Sequence, residues 1–161
     1  MFVEYFAIFA EIYRMEKLGE IIFYTMDKSI RSYRIFAQKQ LRSKGFKMTI
    51  DQWLIIRCIM ENPHISQQEM GEIVFKDNAS VTRMIELLVK AGHLNRKPHP
   101  KDRRRVELTV TRQGKKILDE MQSVVTRNRQ QALTGITTEE IQMVNKVLGK
   151  IISNCQTEPN P

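Results

Sequence analysis

Apolar side chains at Leu18, Ile22, Met26, Ile30, Tyr33, Ala37 and Leu41 recur every three or four residues, the pattern of one face of a long helix. Gly45 follows as a residue suited to a left-handed C-terminal cap. Thr49 opens the segment TIDQWLIIRCIM, where its hydroxyl is spaced to accept from the Gln52 amide while the Gln52 side chain reaches back, a capping box. The spacing predicts a second helix from about Ile50 to Met60. It ends before Pro63, because a proline drives its predecessor, Asn62, out of the α region. Ser66 and Glu69 repeat the box ahead of a short third helix in SQQEMGEIV. Asp77 is an N-cap for a fourth, with Val81, Met84, Ile85 and Leu88 facing inward and Gly92 at its end. Two short helices joined by a few residues make a helix-turn-helix.

Beyond Gly92 the period changes. In RVELTVT, Val106, Leu108 and Val110 alternate with polar residues, which predicts a strand. Leu94 to Lys97 is its antiparallel partner, and the tip between them holds Pro98, Pro100 and Lys101 to Arg103. Two prolines there are expected to exclude ladder pairing and leave a loop. Thr111 caps a long fifth helix with Ile117, Met121, Val124, Val125 and Ala132 on one side. Thr137 with Glu140 opens a sixth through Ile141, Val144, Leu148, Ile151 and Ile152. The expected fold is mainly α, with one β-hairpin wing after the helix-turn-helix. The first, fifth and sixth helices are too apolar on one face to stand alone in water, so they are expected to pair with a second copy of the chain as a homodimer.

Composition narrows the function. At 161 residues the chain fits one domain or one domain plus a dimerisation element. No charge-free apolar run approaches the roughly 20 residues of a bilayer span. The N-terminal MFVEYFAIFAEI carries Glu4 and Glu11 and lacks the basic leader of a secretory signal. Cys58 and Cys155 form neither a CxxC pair nor a disulfide framework, and a reducing cytoplasm is the expected compartment. The segment from Lys76 to Lys116 holds twelve Lys/Arg against four Asp/Glu, whereas the remainder balances 14 bases with 14 acids. A net +8 confined to one stretch is the footprint of a polyanion-binding module on a neutral scaffold. His64, His93 and His99 are scattered, and no HExxH, G-x-S-x-G or glycine-rich phosphate loop occurs. Neither an enzyme nor a bound metal or cofactor is expected.

Four stretches together resemble the MarR family of winged helix-turn-helix transcriptional regulators: TIDQWLIIRCI, SQQEMGEIV, DNASVTRMIELLVKAGHLNRK and DRRRVELTVTRQG. The last is similar to the family's D-x-R wing signature. The resemblance covers about residues 18 to 152. It implies a DNA-binding domain at 48–110, dimerisation helices at 15–47 and 111–155, and a homodimeric repressor on a pseudo-palindromic operator. Residues 1–14 form an extension, with Met15 an alternative start, and 156–161 a tail. Gly71 departs from the Ala common in the family, and within a helix glycine costs about 1 kcal/mol relative to alanine. Val110 departs from the usual Leu, without consequence.

With its apolar face turned inward, the fourth helix leaves Asn78, Ser80, Thr82 and Arg83 for the major groove of double-stranded DNA. Arg reads guanine and Asn adenine by paired hydrogen bonds, while Ser and Thr more often touch phosphate. Asp102 and Arg104 stand two apart at the wing, where a carboxylate can orient a guanidinium, and the resemblance implies that Arg104 enters the minor groove. Lys76, Lys101, Arg103 and Arg105 are candidates for phosphate. Members of the family often bind small aromatic or phenolic effectors between the dimer helices and the DNA-binding lobe, so the resemblance implies that such a ligand is possible here. Tyr33, Phe36, Phe46 and Trp53 are the residues available to line such a cleft, a role in the core being the favoured alternative. Cys58, among isoleucines, reads as a buried inert thiol and not an oxidant sensor. The competing function is a winged-helix module that holds nucleic acid without sequence preference, or an acidic protein, and answers no effector.

Overall fold

The computed structural model describes residues 17–99 and 102–156, and at His99 and 102–105 the backbone only. Six helices and one hairpin follow in order: α1 Ile22–Ser43, α2 Ile50–Glu61, α3 Gln67–Val74, α4 Asn78–Lys90, β1 Leu94–His99, β2 Asp102–Val110, α5 Arg112–Ala132 and α6 Thr138–Gln156. The extension at 1–14, and all of the tail beyond Gln156, lie outside the described residues.

Local chemistry accounts for the helix starts. The Thr49 hydroxyl accepts from the Gln52 amide at 3.1 Å, and the Thr49 amide donates to the Gln52 side chain at 2.9 Å. Reciprocal pairs at Ser66 with Glu69 and at Thr137 with Glu140 start α3 and α6. Each box satisfies two amide donors that a helix terminus leaves open. The first helix differs from expectation. It begins at Ile22, whereas Leu18 lies in a preceding turn in which the Lys17 amide donates to the Glu20 carboxylate at 3.1 Å. Helical spacing continues back to Leu18, but the cap position is Ile21, whose side chain offers the first turn no acceptor.

The core collects one or more side chains from each element through α5: Leu41, Ile55, Met70, Ile85, Leu94, Leu108 and Met121 are all buried. β1 and β2 form an antiparallel two-stranded sheet in the register Leu94↔Val110, Arg96↔Leu108 and Pro98↔Val106. The ladder thus runs through Pro98 and, after an irregularity, pairs His99 with Asp102. The expected loop is shorter than the prolines suggested. In a two-stranded ribbon each strand keeps one open edge, where the N–H that proline lacks is not required.

Two compact units divide the chain within α5, the second beginning at Thr126. In that second unit Gly135 turns the chain at φ +80° into α6. No side chain of α6 is buried, and Met143, Val144, Val147 and Ile152 are exposed. On α1 only Ala37 and Leu41 are buried, while Ile22, Phe23 and Ile30 stay open.

Gly71 has a tertiary reason that helix propensity does not supply. A Cβ there would come within 2.7 Å of the Lys76 carbonyl oxygen, a backbone atom in the turn that leads into α4. Glycine lets α3 approach that turn closely. Gly71→Ala is therefore expected to destabilise the chain by about 1–3 kcal/mol as overpacking, against the gain of about 1 kcal/mol that propensity alone assigns. Thermal unfolding decides the sign, and a higher melting temperature for the variant would refute the close approach.

Candidate nucleic-acid interface

The geometry begins at Asp77. Its carboxylate accepts from the Ser80 amide at 2.8 Å and from the Ser80 hydroxyl at 2.7 Å. Those Ser80 bonds hold the Asp77 carboxyl below its ordinary value, so the cap is charged and closed at neutral pH. Val81, Ile85 and Leu88 are buried and Met84 half-buried, so α4 is anchored along the expected face. Of the four residues expected in the groove, Asn78 and Arg83 are exposed, whereas Ser80 and Thr82 are half-buried. Ser80 is engaged by the cap. The Thr82 hydroxyl donates to the Asn78 carbonyl at 2.8 Å and lies 3.2 Å from the Gln67 amide oxygen. Hydroxyls already bonded to the helix are poorly placed to reach a base, which leaves Asn78 and Arg83 as the exposed candidates of the four.

The turn before Asp77 is unusual. Phe75, the C-cap of α3, has φ 54° and ψ 49°, the left-handed region that favours glycine. For a residue with a Cβ this conformation costs about 1–2 kcal/mol. Its side chain is 90% exposed. Beside it, the Lys76 ammonium lies 3.3 Å from Asp51 Oδ2, while both terminal nitrogens of Arg34 donate to Asp51 Oδ1 at 2.9 and 2.7 Å. The Lys76 charge is thus shared with a carboxylate, which weakens its standing as a phosphate contact. This triad joins α1, the start of α2 and the turn before α4.

A second junction sets the wing against α4. The Thr111 amide donates to the His93 carbonyl at 3.1 Å, and the Thr111 hydroxyl donates to the Gly92 carbonyl at 2.7 Å while accepting from the Gly114 amide at 2.9 Å. Gly92 takes φ +75°, which ends α4 and frees the chain to enter β1. The His93 Nδ1 is buried with no hydrogen-bond partner among the described residues, and burial pushes the imidazole below its ordinary value. Its neutral form is favoured.

Asp102, Arg103, Arg104 and Arg105 lie on β2, with only their backbone described, and Lys101 lies outside the described residues. The proposed Asp102 to Arg104 contact falls among these side chains. Arg96 and Lys97 are exposed on β1, opposite Leu108 and Glu107. The charge count contained both, but alternation on β1 was too short to mark them as site residues. The Arg34, Asp51 and Lys76 triad had no sequence signal at all, since its members are 17 or more positions apart.

Of the four rings expected at an effector cleft, Trp53 is buried and Phe46 packs on the core, while Tyr33 and Phe36 are half-buried on α1. A cleft of about 460 Å³ does lie where α1 meets α2, but it is lined by Arg34, Ile35, Gln38, Lys39, Arg42, Ile50 and Asp51. Cys58 is buried, and burial followed by the Glu61 carboxylate pushes its thiol up, the condition of an unreactive sulfur.

Residues 48–106 match the model of the MarR family. The chain is 26% identical over 115 residues to an uncharacterised HTH-type transcriptional regulator, YybA, of Bacillus subtilis, a match covering 71% of this chain and 77% of that one. Its fold is similar to that of Bordetella bronchiseptica BpsR, whose DNA binding is regulated by 6-hydroxynicotinic acid. The TM-score is 0.76 at 20% identity, over 88% of this chain and 98% of that one. It is likewise similar to wild-type apo MarR of E. coli, with a TM-score of 0.68 at 22% identity over 81% and 96% of the two chains.

Proposed function

We propose, from the MarR-family domain that this chain carries at residues 48–106, that it is a sequence-specific repressor acting as a homodimer on a pseudo-palindromic DNA operator. The observation that carries this reading is the exposed pair Asn78 and Arg83 on the first two turns of a helix whose other face is locked in the core. The +8 segment supplies the attraction to phosphate, and the pair supplies donors suited to base edges. Dimerisation is supported by the open apolar faces of α6 and of the first half of α1. Two reading helices related by a two-fold axis would then take half-sites about 10 base pairs apart.

Release by a small aromatic acid is the second part of the proposal. The cleft between α1 and α2 combines Arg34, Lys39 and Arg42 with Ile35 and Ile50, which suits a ring bearing a carboxylate or phenolate. A ligand bound there would compete with Asp51 for Arg34 and so bear on Lys76 at the turn before α4. BpsR, with its hydroxynicotinic acid, is a relative in fold that answers such a molecule.

Footprinting on the DNA upstream of the chain's own gene tests the reading. A protected pseudo-palindrome is expected, whereas salt-sensitive binding without sequence preference would support a nonspecific module. Arg83→Ala should reduce discrimination at one base position by about 1–3 kcal/mol while retaining general affinity for duplex. Equal weakening on every sequence would reassign Arg83 to phosphate. Arg104→Ala should weaken operator binding with the dimer intact, and unchanged affinity would remove the wing arginine from the mechanism.

A further inference from the structure

Among the described residues, Phe75 is the single non-glycine with a positive φ, and its ring is 90% exposed. The left-handed turn closes α3, with the Lys76 amide donating to the Gly71 carbonyl at 2.9 Å, but nothing in that closure calls for a phenylalanine. Glycine takes these angles without a Cβ in the way, and a ring standing in solvent covers no core. The position of Phe75 gives it a use. It precedes Asn78 by three residues, so the two Cα atoms lie within about 11 Å along any path of the chain. It also stands at the threshold of the +8 segment, next to Lys76 and ahead of the reading helix.

We propose that the Phe75 ring is an apolar contact to duplex DNA, seated on a thymine methyl or a deoxyribose at the edge of the major groove beside the bases faced by α4. The inference rests on the DNA-binding reading above. In an intact duplex the base faces are stacked on one another, so the apolar surface offered to an outside ring is the thymine C5-methyl and the carbon face of the sugar. The methyl marks thymine against cytosine, which adds a base preference that Asn78 and Arg83 do not supply. A phenyl ring displaces no counterion, so this contact adds affinity without adding salt dependence.

The test uses the full chain and the duplex it most enriches from a random pool, with affinity read by fluorescence anisotropy at three salt concentrations. Phe75→Gly is expected to melt higher than the wild type, because the left-handed turn is relieved. It should nevertheless bind that duplex on the order of tenfold more weakly, with the same salt slope. Phe75→Leu, which keeps an apolar side chain, should retain most of the affinity. Replacing thymine by deoxyuridine in the duplex separates the two seats. A loss seen with wild type and absent in Phe75→Gly places the ring on the methyl, and a wild type indifferent to uracil places it on the sugar. Phe75→Gly with wild-type affinity overturns the contact and leaves the DNA-binding reading standing, whereas a wild type that binds no duplex overturns both.

Discussion

Gly114→Ala is expected to lower the melting temperature by about 10 °C, the consequence of a destabilisation of about 3–5 kcal/mol in a chain of this size. Gly114 is buried in the first turn of α5. A Cβ there would meet the His93 carbonyl oxygen at 2.2 Å, the His93 carbonyl carbon at 3.1 Å and Val110 Cγ1 at 3.0 Å. Two of these are backbone atoms at the end of α4, so no rotamer change relieves the contact. The only relief is to move α5 away from His93, and that strains the bonds from Thr111 to Gly92 and His93. Those bonds hold the base of the wing against α4, so DNA affinity should fall in whatever fraction stays folded. Calorimetry on the purified chain checks the shift, and a variant melting with the wild type would show that the junction yields freely.

Affinity for duplex is expected to fall by about a thousandfold to a hundred-thousandfold between 50 and 200 mM salt, if the protein neutralises about 6–10 phosphates. The chain brings twelve Lys/Arg between Lys76 and Lys116, of which Arg83, Lys90, Arg96, Lys97, Arg112, Lys115 and Lys116 are exposed. Lys76 is held by Asp51 and should contribute less than a free ammonium. Neutralised phosphates release condensed cations, so the logarithm of the affinity should be linear in the logarithm of salt, and replacing a phosphate-bound lysine should reduce that slope by about one per contact. Anisotropy titrations at several salt concentrations give the slope. An affinity indifferent to salt would detach the basic segment from binding.

Capping chemistry made much of the fold legible in advance. Thr49, Ser66, Asp77, Thr111 and Thr137 all stand at the helix starts where their side chains place them, because a cap is satisfied within three residues. The apolar face of α4 was legible for the same reason: Val81, Ile85 and Leu88 are one turn apart, and any core would have to receive them together. The start of α1 was not, since the period of its apolar residues runs past the point where capping stops. In the candidate site, Asn78 and Arg83 could be placed on the open face from spacing alone. The engagement of Ser80 could be suspected from Asp77 three residues before it, but that of Thr82 with Gln67 could not, because the partner lies on another helix.

Order of elements, the side-chain-capped helix starts, the buried stripe of α4 and the confinement of positive charge all follow from residues within a turn or a strand of each other. Such short-range preferences survive in any tertiary setting, and the amino-acid sequence alone was enough to determine them. Interactions between distant positions were decided only when the chain closed on itself. Asp51 draws both Arg34 and Lys76, Gly71 and Gly114 admit backbone carbonyls, and Phe75 stands in a left-handed turn with its ring in solvent. No local pattern encodes a backbone separation so small that a Cβ added at Gly114 would fall 2.2 Å from a carbonyl oxygen 21 positions away. That distance exists because two elements must share one core, and the space left between their backbones is set by all the side chains that fill it.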